Sequence, residues 1–160
     1  MSCEVVAETA EEMIEQAQQF IALGRPAVTI KVPCTVEGLV ACKALSALGV
    51  KTNVTLVFSV AQAILAAKAG ATYISPFVGR CNDNSFSGVE LVRAIAGTLA
   101  AHGSKTQVLA ASLRDCHHVS RCFLYGASVV TMPPKVFWAM YNHVLTREGL
   151  DLFQKDWESS

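Results

Sequence analysis

The chain has 160 residues, enough for one domain with a substantial core. Its 13 Lys and Arg balance 13 Asp and Glu, so it has no general attraction for nucleic acid or an anionic membrane. No apolar run is long enough to span a bilayer, and the first residues lack the basic-then-apolar pattern of a signal peptide.

The predicted elements alternate strand and helix over the whole length. A strand over Glu4–Ala7 leads into a helix over Ala10–Leu23, which places Met13, Ile14, Ala17, Phe20 and Ile21 on one face. Then come strand Ala27–Val32 with helix Val36–Leu48, strand Asn53–Phe58 with helix Val60–Ala69, and strand Thr72–Phe77 with helix Gly88–His102. Strand Gln107–Ser112 precedes helix Cys116–Tyr125. Strand Ser128–Met132 is followed by helices Pro134–His143 and Arg147–Trp157. Capping boxes mark three helix starts: Thr9 with Glu12, Ser59 with Gln62, and Ser87 with Glu90. Gly24, Gly49, Gly70, Gly103 and Gly126 mark helix exits. Gly70–Pro76 is echoed by Gly126–Pro133, a helix-exit-to-strand unit used twice.

Repeated βα units imply a parallel sheet with right-handed crossovers. No G-x-G-x-x-G follows a strand, so the dinucleotide fingerprint is absent. Strand parity favours a barrel over an open doubly wound sheet. One alternating set holds Glu4, Thr29, Lys31, Asn53, Thr55, Ser75, Phe77, Ser112, Arg114 and Thr131. The other holds Val5, Ile30, Val32, Val54, Leu56, Ile74 and Val130 and suits contact with helices. Polar residues gathering toward strand C-termini are what barrel active sites are made from.

Lys31 stands out within Thr29-Ile30-Lys31-Val32-Pro33. An ammonium in an apolar strand is costly to desolvate, and the neutral amine is a nucleophile toward carbonyl carbon. A strand-end lysine reaching solvent along its stem is the structural alternative. The six cysteines (Cys3, Cys34, Cys42, Cys81, Cys116 and Cys122) form no C-x-x-C pair. They read as small buried hydrophobes in a reducing compartment, with a disulfide framework as the weaker alternative. His117-His118 reads as a solvated helix start, because adjacent helical residues face different sides. No metal site is expected.

Several motifs fall in a fixed order: Val28-Thr29-Ile30-Lys31-Val32-Pro33, Glu37-Gly38-Leu39, then Thr52 through Ser59 with Gln62. Ser75-Pro76-Phe77-Val78-Gly79-Arg80 and Ala110-Ala111-Ser112-Leu113-Arg114 follow, and Asp156-Trp157 sits in the last helix. From about Cys3 to Trp157 this set resembles the transaldolase family, particularly its small bacterial-type branch and the related fructose-6-phosphate aldolases. The resemblance implies an α/β fold of the TIM-barrel (βα)8, class I aldolase-like type. Here it is truncated to about six βα units in a single partial-barrel domain, residues 1–160.

The resemblance also implies chemistry. Lys31 would form a Schiff base with the C2 carbonyl of a ketose, and the iminium would accept electrons as the C3–C4 bond breaks. The retained three-carbon enamine would attack an acceptor aldehyde, so a dihydroxyacetone unit moves between sugar phosphates, as in the pentose phosphate pathway. No cofactor is required. Glu4 and Thr55 match the family's proton-handling glutamate and water-holding threonine. Asn53 and Ser75 match positions facing the sugar. Arg80, Ser112 and Arg114 match the phosphate pocket, where guanidinium forks and a hydroxyl suit a dianion. Phe77 stands where the free-aldolase branch has a tyrosine; without a hydroxyl to orient water, the enamine is left for an acceptor sugar. Each position has a plainer reading as well: a frayed carboxylate for Glu4, a strand former for Thr55, barrel packing for Phe77, surface ion pairs for the arginines.

The match starts at the family's third strand. The first two βα units, which should carry the general acid/base aspartate on strand one, have no counterpart, and neither Asp83 nor Asp115 can be matched to it. Strands Glu4–Ala7 and Ser128–Met132 would then be open edges. A homo-oligomer is expected, most simply a two-fold dimer, with another chain possible as the source of the missing barrel wall. The expected location is the cytoplasm. Two alternatives stay open: a non-catalytic module that binds sugar phosphates or serves assembly, and a fructose-6-phosphate aldolase-type lyase.

Overall fold

A computed structural model describes residues 1–24 and 27–160. Six βα units follow one another: β1 (Ser2–Glu4), α1 (Ala10–Gly24), β2 (Thr29–Pro33), α2 (Val36–Ala47), β3 (Lys51–Val57) and α3 (Val60–Lys68). Next are β4 (Tyr73–Pro76), α4 (Val78–Asp83), α5 (Gly88–Ala101), β5 (Gln107–Ala110), α6 (Cys116–Leu124), β6 (Val129–Val130), α7 (Pro134–Ala139) and α8 (Val144–Glu158). The strands lie in chain order β1-β2-β3-β4-β5-β6 in one sheet, and each neighbouring pair is parallel. The sheet is curled: Ser2 and Glu4 of β1 share a cavity with Thr131, which follows β6. This is an incomplete TIM-barrel-like fold, with β1 and β6 as its two edges.

The core lies between the convex face of the sheet and the helices. Ile30, Val32, Val54, Ile74, Val108 and Ala110 come from strands, and Met13, Ala17, Ala41, Cys42, Leu45, Ala63, Ala66, Val92, Ile95, Val119 and Cys122 come from helices. Small residues dominate the inner faces of α2 and α3, which lets these helices approach the sheet closely. Ile14, Phe20 and Ile21 of α1 pack at the margin, as the 3.6-residue pattern predicts. By contrast α8 has no buried residue, and Leu145, Phe153 and Trp157 are exposed.

The predicted caps form. Thr9 Oγ1 accepts from Glu12 N at 3.3 Å, Ser59 Oγ from Gln62 N at 3.1 Å, and Ser87 Oγ from Glu90 N at 3.4 Å. Gln62 reaches back past the cap and accepts from Phe58 N at 2.8 Å, whereas the Glu90 carboxylate turns to Arg93. Gly49, Gly70, Gly103 and Gly126 take positive φ at helix exits. Gly24 does not; it is the last residue of α1.

Several boundaries differ from expectation, each for a local reason. The first strand runs over Ser2–Glu4 rather than Glu4–Ala7, because the Val6 N–H leaves the sheet to donate to Gln16 Oε1 at 2.9 Å. Val5 still packs in the core. β5 stops at Ala110, and Ser112 turns the chain at φ 60°. Between Val54 and Val57 the β3–β4 register shifts, and Leu56 sits at φ 59°. This bulge overturns the assignment of Leu56 to the aliphatic face: Leu56 is only half-buried and Val57 occupies the core instead. The predicted helix Pro134–His143 ends at Ala139, and His143 caps α8, which starts earlier than Arg147. α4 has no counterpart among the predicted helices; at six residues, with Val78 and Cys81 turned inward, it is too short to show a helical period. All six cysteines are free; Cys42, Cys81 and Cys122 are buried and the other three half-buried. Burial pushes the Cys122 thiol up to about 11 and also raises Cys34, Cys42 and Cys81.

Two helical glycines predict opposite outcomes. A Cβ at Gly38 would collide with the Pro33 carbonyl, where α2 starts against β2. Gly38→Ala should lower stability by about 1–3 kcal/mol. A Cβ at Gly97, on the exposed side of α5, meets nothing within 4 Å. Gly97→Ala should stabilise by about 0.5–1 kcal/mol. Urea unfolding midpoints of the two variants check both signs.

A third expectation concerns acid. Asp115 caps α6, accepting from His118 N at 2.8 Å, and its other oxygen lies 2.5 Å from His118 Nδ1. Burial alone would raise this carboxyl, but the bonds and charge from His118 outweigh it and hold the carboxyl below its ordinary value. Its stabilising contribution is therefore present above the ordinary carboxylate pKa and fades as pH falls through the lower folded value. Asn is also a good N-cap, so Asp115→Asn keeps the cap and removes the titration. The stability gap between wild type and this variant should shrink from pH 5 to pH ~2.5.

Candidate functional site

The parallel register lays out the site. Glu4 of β1 pairs with Lys31 of β2, and Lys31 pairs with Asn53 of β3, so three polar side chains stand abreast on one face. One layer further on, Pro33 pairs with Thr55. On β4, Ser75 lies two residues beyond Tyr73, the partner of Asn53.

Within that row Lys31 Nζ lies 3.2 Å from Glu4 Oε2. The strand is buried but the lysine is less so than expected: its side chain keeps 25% of its surface and Glu4 keeps 52%. The ammonium stem crosses the sheet face and its head reaches the cavity. Asn53 and Ser75 are buried, and Ser75 Oγ donates to Asn53 Oδ1 at 2.7 Å, which fixes the carboxamide. Glu4, Lys31, Asn53 and Ser75 line a cavity of about 350 Å³ with Ser2, Leu109, Ala111 and Thr131. Glu4 is the only carboxylate among these lining residues.

Thr55 does not line this cavity. It is fully buried, and its Oγ1 has no hydrogen-bond partner among the described residues. A buried hydroxyl in that state is rare.

Ser112 and Arg114 line a second cavity of about 400 Å³ with Leu113, Thr131, Met132 and Pro133. Thr131 belongs to both cavities, so they adjoin. Thr131 fell on the polar side of the strand pattern but was not among the site residues expected; its double position becomes visible only once β6 is placed beside β5. Arg80 lines neither cavity. Its guanidinium lies 4.8 Å above the Phe77 ring, and Phe77 packs at 5.9 Å from Phe58. Both Arg114 terminal nitrogens are taken by Asp83, at 2.5 Å each. Hydrogen bonding from Arg114 holds the Asp83 carboxyl below its ordinary range.

Gly79 is a further positioning residue with no side-chain signal in the sequence. Its N–H donates to Ser112 O at 3.0 Å. A Cβ there would crowd Ser112 O and come within 2.9 Å of Arg114 Nε and 3.1 Å of Ser112 Oγ. Only glycine lets α4 pass so close to the end of β5.

The arrangement offers an amine beside a carboxylate, a fixed carboxamide and hydroxyl, and in the adjoining cavity a serine with an arginine paired to Asp83. Among the described residues no helix is long and apolar enough to cross a membrane. The sequence matches the family model described as Transaldolase/Fructose-6-phosphate aldolase over residues 1–160. It is 49% identical over 160 residues to a probable transaldolase of Caulobacter vibrioides, covering 100% of this chain and 73% of that protein. A probable transaldolase of Paracoccus denitrificans is 51% identical over 157 residues, which is 98% of this chain and 72% of that protein. One from Geobacillus thermodenitrificans is 48% identical over 98% of this chain and 73% of its own length. A full-length family match and relatives at about half identity agree with the curled parallel sheet: the chain belongs to the transaldolase/fructose-6-phosphate aldolase family.

Proposed function

We propose that this chain is a transaldolase-type transferase, carrying a dihydroxyacetone unit between sugar phosphates of the pentose phosphate type through a Schiff base on Lys31. The observation that carries this reading is Lys31 Nζ at 3.2 Å from Glu4 Oε2, facing a cavity that adjoins the Ser112 and Arg114 pocket. Glu4 takes a proton from the ammonium, and the freed amine adds to the C2 carbonyl of the donor. Loss of water gives the iminium, with Glu4 and a water held by Thr55 handling the protons. As the C3–C4 bond breaks, its electrons pass to the iminium and the C4 hydroxyl gives its proton to water, so an aldehyde leaves and an enamine remains on Lys31. The enamine carbon then attacks the acceptor aldehyde, whose oxygen takes a proton from water, and hydrolysis of the new iminium returns the amine. Asn53, fixed by Ser75, orients the sugar hydroxyls. Arg80, Ser112 and Arg114 hold the phosphate. Phe77 brings no hydroxyl near the enamine, which favours transfer over the lyase reaction of the fructose-6-phosphate aldolases.

A second reading, a sugar-phosphate-binding module without catalysis, rests on the Ser112 and Arg114 cavity alone. We also propose that the chain works as a cytoplasmic homo-oligomer, most simply a two-fold dimer, with β1 or β6 in or near the interface. The position of these two strands at the ends of the sheet supports it, and another chain could complete the barrel wall.

Borohydride reduction with fructose 6-phosphate should add the donor mass to the Lys31 peptide. Mass on Lys43 or Lys51, or on no lysine, would overturn the Schiff-base assignment. A charge-assisted contact is worth roughly 1.5–3 kcal/mol. Arg114→Ala should therefore weaken a sugar phosphate by ~10-fold or more while leaving an unphosphorylated ketose nearly unchanged; equal losses would remove Arg114 from the phosphate pocket.

A further inference from the structure

Arg114 does not present a free guanidinium fork. Nη1 donates to Asp83 Oδ1 and Nη2 to Asp83 Oδ2, both at 2.5 Å. Asp83 is the last residue of α4, three after Arg80, and the Arg80 charge also acts on its carboxyl. One carboxylate thus binds one of the two cations that the proposed function assigns to phosphate and lies within electrostatic reach of the other. It is held there by α4, whose neighbours Asn82 and Asn84 are tied down. Asn82 Oδ1 accepts from Gly88 N at 2.9 Å, and Asn84 Nδ2 donates to Arg80 O at 2.8 Å.

The pair is not sequestered: Arg114 keeps 55% and Asp83 46% of their side-chain surface. Bidentate geometry makes the pair stronger than an ordinary surface ion pair, but at that exposure water screens it and leaves it open to a competing anion. A phosphate dianion carries twice the charge and more acceptor oxygens, and it can also engage Ser112. A carboxylate so exposed can swing into water without leaving a buried charge behind.

We propose that Asp83 is a resident counter-ion of the phosphate pocket: it holds the terminal nitrogens of Arg114 and is displaced by the phosphate of the substrate. This rests on the assignment of Ser112 and Arg114 to phosphate. The consequence is selectivity. A carboxylate monoanion from solution competes with a tethered carboxylate of the same charge and loses. A phosphate dianion competes and wins. The opposing possibility, that Asp83 orients Arg114 toward phosphate, predicts the reverse sign on mutation.

The test measures binding of inorganic phosphate and of acetate by calorimetry to the full chain and to Asp83→Asn, Asp83→Ser and Arg114→Ala, each checked for wild-type circular dichroism. Asp83→Asn and Asp83→Ser should both tighten phosphate by roughly 3–10-fold and narrow the preference for phosphate over acetate. A gain in affinity is something that loss of a structural contact does not produce, and Ser guards against Asn retaining the bond to Arg114. Unchanged or weaker phosphate binding in both variants overturns the proposal, even if Arg114→Ala still weakens phosphate and so sustains the pocket. Phosphate binding indifferent to Arg114→Ala, or absent from every variant, overturns the pocket and the counter-ion together.

Discussion

Everything around Lys31 depends on the in-register parallel pairing of β1, β2 and β3. Because Glu4 pairs with Lys31 and Lys31 with Asn53, three polar side chains project from one row of the sheet. A slip of one residue in either pair would turn one member toward the helices and leave a charge against Met13 or Leu45. The register is fixed on the opposite face, where Ile30, Val32 and Val54 are fully buried. The apolar face of the sheet therefore sets the chemistry of the polar one. The row also explains why a lysine is tolerated in the middle of a β-rich segment: its stem is covered and its head has a carboxylate within 3.2 Å.

The second pocket has a different origin. It is made where strands end rather than where they pair. Ser112 turns the chain out of β5 at positive φ, and Gly79 lets α4 lie against that turn. A non-glycine residue at φ 60° costs energy, which the surrounding bonds must offset. Gly79 N–H to Ser112 O and Val78 N–H to Ala111 O do so by stitching α4 to the end of β5. The hydroxyl of Ser112 is thus placed by backbone contacts, whereas the guanidinium of Arg114 is held by the Asp83 carboxylate.

Much of this was legible from the chain. Alternation along Thr29–Val32 and Asn53–Thr55 depends only on the two-residue period of a strand, and it placed Lys31 with Glu4, Asn53 and Ser75 correctly. The capping boxes are local in sequence, and so are the glycine exits. What was not legible required a third dimension or a broken period. The bulge at Leu56 changes which residue faces the core, and no local residue type announces it; a leucine at positive φ is sustained by tertiary context alone. The end of β1 was misplaced because the competitor for the Val6 N–H, Gln16, lies on a helix ten residues away. Thr131 became a shared wall of both cavities only through sheet order. Asp83 carries no motif of its own, and its partner is 31 residues distant.

The half-open geometry also bears on how the lysine can work. In a closed, dry site the ammonium would be destabilised by desolvation, and the amine would be freed by burial alone. Here the side chain of Lys31 keeps a quarter of its surface and faces a half-exposed carboxylate. Whatever covers the site, whether substrate or a neighbouring wall at the edges β1 and β6, strengthens the field between Glu4 and Lys31 by excluding water. It also removes the hydration that stabilises both ions, so how strongly the two side chains act on each other is set by how fully the open face of the sheet is covered.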